Sequence, residues 1–592
     1  MQNKYSDVFM DWLKEAGYTH CFYVSGGNVM HLLESASYRF KCIPFIHEAT
    51  ACIATDYFNE VSQNGSKAFL LVTAGPGITN SITGIASAWM DSRELLIIGG
   101  QVSTKYLAKG RTRQIGFQEI DGVELCKSIT KETIRIEKQI GKDEVFRLIA
   151  LSKTPRKGPV FIEFCLDISM EKFEITKEPN KVITDKRFDG PEVIDNAINE
   201  VLQLFYNSKR PLILLGGGVD RGTNLVELKR HNLPVATTFN GADRINHDYQ
   251  FYCGMPNWYG SRWANLILQQ ADLILALGTS LGVMQTGYNF EEFAPNAKVI
   301  KVDVDINELT KGTIEIYKGI QLDCNLFIKQ FSKLFDKKHE PIYDKWRDYV
   351  KEIRKVLSRP EKINTARPPY IQSIDFLLQL CRTMDGKEII IPCSSGAAAY
   401  ESAMRTLEFK GENLVVTSHA MASMGFGLAG GIGASIAHPE KKVIVIEGDG
   451  GFAQNLQEVS TAIKNNLNLK LFIMDNGGYQ SIRGNQRSAF NDHYIGCDEN
   501  SGLLLPKWHQ IGNFFGCKVF EVDASTAFNE IFNELFSSSG FVIFIVKIDP
   551  DQTYYPRVLS KRNSNGEVIS NPLHTMHPPL DQKTEQEFSK FI

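Results

Sequence analysis

The sequence predicts an α/β protein made of three doubly wound domains, each around a parallel sheet. Three observations carry that prediction. Strand-sized apolar runs alternate with helix-length segments almost throughout. Several of these runs end in glycine-rich turns, among them Gly75-Pro76-Gly77, Gly216-Gly217-Gly218 and Gly448-Asp449-Gly450-Gly451. At 592 residues the chain is also too long for one core, since domains run to about 150 residues.

In chain order, Cys42–Ile46 reads as a strand, Ala49–Asn59 as a helix and Ala68–Thr73 as a strand. Gly75-Pro76-Gly77 reads as a turn, Asn80–Trp89 as a helix, and Leu95–Ile98 and Val160–Phe164 as buried strands. A first domain is therefore expected over 1–175, followed by a charged linker from Glu171 to Arg187. A central domain over 190–338 contains the strands starting at Pro211, Leu273 and Lys298. Charged helical sequence from Asp336 to Val356 and a Pro-bearing stretch lead to a third domain, 370–550, and a polar tail, 551–592.

Composition narrows the function classes. A net charge of −3 marks no polyanion partner such as nucleic acid. No apolar run is long enough for a bilayer, and Met1–Gly17 lacks the apolar core of a signal peptide. The 11 cysteines are odd in number and dispersed, with no C-x-x-C pair, which predicts reduced thiols in a cytoplasm.

One segment carries chemistry. Lys442–Ile446 is a strand closed by Gly448-Asp449-Gly450-Gly451, with a helix expected around Asn455–Lys464. Lys470–Met474 is the next strand, closed by Asp475-Asn476-Gly477-Gly478. In a right-handed βαβ unit both loops lie at the carboxyl ends of neighbouring strands, where such sheets bind ligands. Asp449 and Asn476 should therefore converge although 27 residues separate them. A carboxylate and an amide oxygen suit a hard cation such as magnesium, and the glycines let main-chain N–H groups approach phosphate.

This pair of loops resembles the metal signature of thiamine-diphosphate enzymes, and the rest of the chain is similar to their acetolactate-synthase-like group. The resemblance implies pyrimidine-binding, central and diphosphate-binding domains. It also implies thiamine diphosphate and Mg2+ as cofactors, with Asp449, Asn476 and the Gly478 carbonyl as metal ligands. Asp475 stands where the family usually has Asn. Ser25-Gly26-Gly27-Asn28 looks like the family's P-G-G-A turn. His47-Glu48-Ala49 looks like its H-E segment, which makes Glu48 the carboxylate that hydrogen-bonds the aminopyrimidine ring. Ser423-Met424-Gly425-Phe426-Gly427-Leu428 matches A-M-G-F-G-L, with Met424 as the apolar wedge under the cofactor. Phe117-Gln118-Glu119 resembles F-Q-E and places Gln118 near the reacting centre. Gly99-Gly100-Gln101-Val102 matches a G-Q-V of the synthases, where simple pyruvate decarboxylases carry two histidines. Ser395 and Gly396 occupy the place of the diphosphate loop without its His and Gln, and Tyr479 follows the metal loop.

Two departures bear on substrate. Gly278–Gly287 aligns on G-A-R-F-D-D-R-V-T-G with both arginines replaced, by Ser280 and Met284. Asn485 stands where the synthases have a tryptophan. Met284 and Asn485 thus mark an acceptor pocket without its carboxylate anchor. The expected reaction is decarboxylation of a 2-oxo acid, such as pyruvate, with transfer of the acyl carbanion to a carbonyl acceptor. A keto-sugar of a surface-polysaccharide pathway is the expected acceptor, because Gly496–Pro506 and the tail resemble synthase-like proteins of such pathways. The alternatives are an acetolactate synthase of branched-chain amino-acid synthesis and a non-catalytic cofactor-binding scaffold. FAD is a weaker expectation, since the lost arginines belong to the synthases' flavin region while Gly216-Gly217-Gly218 leaves a dinucleotide site open. The resemblance further implies a homodimer or dimer of dimers.

Overall fold

The computed structural model describes residues 4–62, 65–154, 156–174, 191–335, 343–562 and 565–591. Most of the first expected linker, and residues 336–342 of the second, lie outside them.

Three sheets follow one another along the chain. The first contains β1 (Tyr18–Tyr23), β2 (Lys41–Pro44), β3 (Lys67–Val72), β4 (Leu95–Gln101), β5 (Glu132–Ile136) and β6 (Pro159–Cys165). Their order is β2-β1-β3-β4-β6-β5, with every pair parallel. The second contains β7 (Pro211–Leu215), β8 (Val235–Thr237), β9 (Leu273–Leu277), β10 (Lys298–Asp303) and β11 (Lys318–Gln321). It is likewise parallel, in the order β11-β10-β9-β7-β8. The third contains β12 (Ile389–Pro392), β13 (Leu414–Val415), β14 (Val443–Gly448), β15 (Leu469–Asp475), β16 (Lys518–Val522) and β17 (Val542–Lys547), in the order β13-β12-β14-β15-β17-β16.

Each sheet places its first strand between its second and third, so the winding reverses there and opens a crevice at the strands' carboxyl ends. The first and third sheets share one six-strand order. Central strands such as β3, β4, β14 and β15 are covered on both faces, which is why they read as unbroken apolar runs rather than alternating ones.

The chain condenses into two compact units. One comprises 1–185, 387–400 and 416–547; the other comprises 186–386, 401–415 and 548–592. The expected third domain is thus shared, because 370–386 and 401–415 join the second unit. The tail is no appendage either. Leu573, Met576 and Phe588 are buried in the second unit's core. Asn265 donates to the Leu573 carbonyl at 3.0 Å and Gln270 to that of Phe588 at 2.8 Å. These apolar residues are too sparse among polar ones to show a period.

Two local expectations also shift. Gly75-Pro76-Gly77 is not a free turn: Pro76 opens the helix Pro76–Met90 at its first position, where a missing N–H costs nothing. The helix expected from Asn455 begins earlier, as a short turn Asp449–Phe452, and resumes at Val459–Lys464.

Candidate functional site

All the loops expected to hold thiamine diphosphate and its metal belong to the first unit. β14 ends at Gly448, and Asp449 follows as the first residue of a helical turn, buried to 1% exposure. Its carboxylate gathers three main-chain donors: Gly450 N–H at 2.8 Å, Gly478 N–H at 3.0 Å and Asn476 N–H at 3.1 Å. The loops after β14 and β15 do converge, with the second wrapped onto the Asp449 carboxylate.

The electrostatics of this pocket are unbalanced. Burial pushes the Asp449 carboxyl up to about 7, and neighbouring Asp475 adds to the rise, against the pull of the three N–H groups. Asp475 itself accepts from Lys547 at 2.8 Å. The side-chain oxygen of Asn476 is buried and accepts no hydrogen bond. A buried carboxylate short of positive charge beside an orphaned amide oxygen is the donor set a hard cation would satisfy. Gly478 sits at φ +140°, and a Cβ there would lie 2.2 Å from the Cys497 carbonyl oxygen, so only glycine permits this course of the main chain. Among the described residues no three His, Cys, Asp or Glu side chains cluster as a metal site. A single carboxylate with an amide and a carbonyl leaves the remaining positions to ligand oxygens.

The glycines separate into two roles. A Cβ on Gly450 would meet the Tyr479 ring at 2.4 Å, so Gly450 serves the packing of Tyr479. A Cβ on Gly448, Gly396 or Gly27 would meet nothing within 4 Å, and one on Gly451 would meet only the Glu447 side chain closely, at 3.2 Å. Gly396 follows β12 and Gly448 closes β14, adjacent strands at the winding reversal, so a ligand can approach either stretch of main chain without meeting a side chain. Past Ser395 and Gly396, Ala397 N–H donates to the Ser481 hydroxyl at 3.0 Å, which ties this loop to the helix Gln480–Phe490.

Glu48 is the first residue of the helix Glu48–Val61 and is buried to 7% exposure. Its Oε2 accepts from Asn80 at 2.9 Å. The main chain before it is held by Glu458, whose carboxylate accepts from Ile46 and His47 N–H at 3.1 and 3.0 Å. Thr50 donates to Asn455 Oδ1 at 2.9 Å, and Asn455 Nδ2 in turn donates to the Gly425 carbonyl. One amide therefore links the Glu48 helix to the residue after Met424. Met424 is 36% exposed and is followed by Gly425 in the left-handed region, φ +85°. Gln118 is also left-handed, φ +64°, with its carbonyl against Gly75. On the other side, a Cβ on Gly26 would collide with Thr73, whose hydroxyl is buried without a partner. Asn80, Thr73, Asn455, Glu458 and Ser481 were not singled out in the sequence; their contacts come from loops far apart along the chain.

The chain matches three consecutive family descriptions: the thiamine pyrophosphate enzyme N-terminal TPP binding domain over residues 3–125, the central domain over 198–331, and the C-terminal TPP binding domain over 396–546. The chain belongs to the thiamine pyrophosphate enzyme family. It is 28% identical to a probable acetolactate synthase large subunit of Methanococcus aeolicus over 536 residues, 85% of each chain. It is 26% identical to the acetolactate synthase large subunit of Porphyra purpurea, covering 95% of this chain and 94% of that one. Acetolactate synthase isozyme 2 large subunit of Escherichia coli (strain K12) is 26% identical, with 88% and 91% covered. This is a thiamine-diphosphate-dependent, acetolactate-synthase-like enzyme. The expected surface-polysaccharide pathway finds no support in these relatives, which favour the acetolactate synthase alternative. No described helix is long and apolar enough to cross a membrane.

In this thiamine pyrophosphate enzyme the two acceptor positions lie in different units. Met284 is half-buried in the second unit, on the short helix Val283–Thr286. Asn485 is exposed on the first unit's helix Gln480–Phe490. The glycine run after β7 has a packing reason: a Cβ on Gly216 would lie 2.1 Å from the Gly278 carbonyl oxygen, and one on Gly218 2.9 Å from Gly278 Cα. Close approach of the β7 and β9 turns accounts for these glycines without a dinucleotide.

Proposed function

We propose that the enzyme decarboxylates a 2-oxo acid such as pyruvate and joins the resulting acyl unit to a second 2-oxo acid, as the names of its relatives suggest. The observation that carries this reading is the Asp449 carboxylate set beside the unpaired Asn476 oxygen, a site poised for a cation and a diphosphate. Asp449, Asn476 Oδ1 and the Gly478 carbonyl would hold Mg2+, with Ser395, Gly396 and Gly448 facing the phosphates. Thiamine diphosphate, when bound, supplies the electron sink that lets a 2-oxo acid lose CO2.

The chain's own residues do the rest. Glu48, buried and anchored through one oxygen by Asn80, holds and moves a proton at the aminopyrimidine ring. Met424 gives the cofactor an apolar face on a turn fixed by Gly425 and Asn455. Gln118, held by its left-handed backbone, lies toward the reacting centre. Glu48 and Asp449 serve one site from two chains, so the active species is at least a homodimer.

A second reading rests on Ser280, Met284 and Asn485, which take a charged anchor and an indole from the acceptor side. An Arg–carboxylate hydrogen bond contributes roughly 1.5–3 kcal/mol, so its loss favours a carbonyl acceptor without a carboxylate. Incubation with pyruvate alone, and with pyruvate plus a polyhydroxylated aldehyde or ketone, decides between the two. Acetolactate formed from pyruvate alone, at a rate comparable to an acetolactate synthase control, supports the first. An adduct formed only with the hydroxylated acceptor supports the second, and no CO2 release from any 2-oxo acid refutes both.

A further inference from the structure

The second unit holds a cavity of about 110 Å³ that takes no part in the chemistry above. The glycine turns after β7 and β9 do not line it. It is therefore separate from the crevice where a doubly wound sheet takes a nucleotide. Its wall is rich in guanidinium groups: Arg262, Arg354, Arg359 and Arg405, against the carboxylates of Glu361 and Glu408. Three of these charges are matched. Arg262 donates to Glu361 at 2.8 Å, and Glu408 pairs with Lys410 at 2.7 Å.

Arg354 and Arg405 have no carboxylate at ion-pair distance among the described residues; Glu408 acts on Arg354, and Glu401 and Glu361 on Arg405, only at longer range. Main-chain carbonyls hold both side chains instead. Arg354 donates to the carbonyls of Tyr249, at 3.1 Å, and His247, while its guanidinium lies over the rings of Tyr252 and Trp263, 5.7 and 5.6 Å from their centroids. Arg405 Nη1 donates to the Pro556 and Tyr554 carbonyls at 2.8 and 3.2 Å. Its Nη2 is buried without a partner. The helix Arg262–Gln270 also opens at this cavity, with Ser261, Arg262 and Trp263 in the wall and no side-chain cap from Ser261. Its first-turn N–H groups and dipole add to the positive field.

We propose that this cavity binds a small oxyanion, a phosphate or carboxylate group, between Arg354, Arg405 and the start of the helix Arg262–Gln270. Burial lowers the Arg405 guanidinium to about 10, which still leaves it charged at neutral pH, and a fork fixed by carbonyls presents its remaining donors in the plane an oxyanion accepts. The volume is well below the roughly 300–1,000 Å³ of pockets for drug-sized ligands, so the occupant is a small ion or a single anionic head.

The test is calorimetric titration of the holoenzyme, saturated with thiamine diphosphate and magnesium, at constant ionic strength. Sodium phosphate is the probe in one arm and sodium acetate in the other. Saturable binding is expected in at least one arm, weakened tenfold or more in Arg354→Gln and in Arg405→Gln. Tighter phosphate points to a phosphoryl ligand, and tighter acetate to an organic acid. Absence of saturable binding in both arms, or unchanged affinity in both variants, overturns the proposal. Should the variants fail to fold, wild-type crystals soaked in tungstate give the same decision. An anomalous peak between Arg354 and Arg405 supports the site, and an empty cavity rejects it.

Discussion

Replacing Asn476 by alanine separates the cation site from ordinary packing. Without a cation the Asn476 oxygen is buried and accepts nothing. Removing it relieves a desolvation cost of about 1–3 kcal/mol. The few buried atoms lost with it cost a similar amount, roughly 1–3 kcal/mol. The cofactor-free protein should therefore change by no more than about 1–2 kcal/mol. Cofactor binding should suffer far more. Losing a residue that only orients a metal ligand already costs about 10–100-fold in affinity, and Asn476 is proposed as a ligand itself. At a ligand concentration 100 times Kd, binding stabilises the wild type by about 2.7 kcal/mol; a hundredfold weaker site leaves about 0.4 kcal/mol. Thermal unfolding with and without thiamine diphosphate and magnesium reads both terms, and calorimetry gives the affinity. A variant with a wild-type cofactor increment, or one that loses more than about 3 kcal/mol without cofactor, would refute the assignment of this oxygen to the cation.

Glu48→Gln should bind thiamine diphosphate with near wild-type affinity but lose about 10²–10⁴-fold in turnover, read by CO2 release, because only the proton-holding group is gone. Gly478→Ala should lose at least about 3 kcal/mol in urea unfolding, since a strained backbone costs about 1–3 kcal/mol and the new Cβ also overlaps the Cys497 carbonyl. Mixing inactive Glu48→Gln and Asp449→Ala proteins under conditions of subunit exchange should restore part of the activity; no recovery after demonstrated exchange would place both residues in sites built by one chain.

Much of the fold was legible because buried parallel strands are apolar on both faces and end in turns that only a few residue types permit. β3, β14 and β15 fall within one or two residues of their expected limits for that reason. The pairing of Asp449 with Asn476 followed from βαβ handedness, which fixes where successive loops emerge. The tail's place in the second unit was not legible, since Leu573, Met576 and Phe588 stand singly among polar residues. Nor was the sharing of 401–415 between expected domains, which depends on tertiary contacts that no local period records. The supporting groups are common polar residues, Asn80 on a helix and Asn455 and Glu458 in the short turns before another, and nothing local distinguishes a bridging amide from a solvated one.

The shared strand order of the first and third sheets gives the site a simple logic. In each sheet the loops after the first and third strands meet at the reversal of winding: Gly26 against Thr73 in one, the Ser395-Gly396 turn beside Gly448-Asp449 in the other. A cofactor with a ring at one end and a diphosphate at the other needs two such crevices of opposite character. The third sheet supplies a carboxylate, an orphaned amide oxygen and a main chain left uncovered at Gly396 and Gly448, which suit a cation and phosphates. The first supplies a buried carboxylate at a helix start, Glu48, and an unpartnered hydroxyl, Thr73, which suit a ring that exchanges protons. If the two folds arose from one ancestor, what diverged is the chemistry at the ends of the same strands. The sequence contrast between Gly448-Asp449-Gly450-Gly451 and Thr73-Ala74-Gly75-Pro76, the turns after the third strands of the two sheets, is then functional: one turn brings a carboxylate to a cation, and the other brings a hydroxyl to a ring.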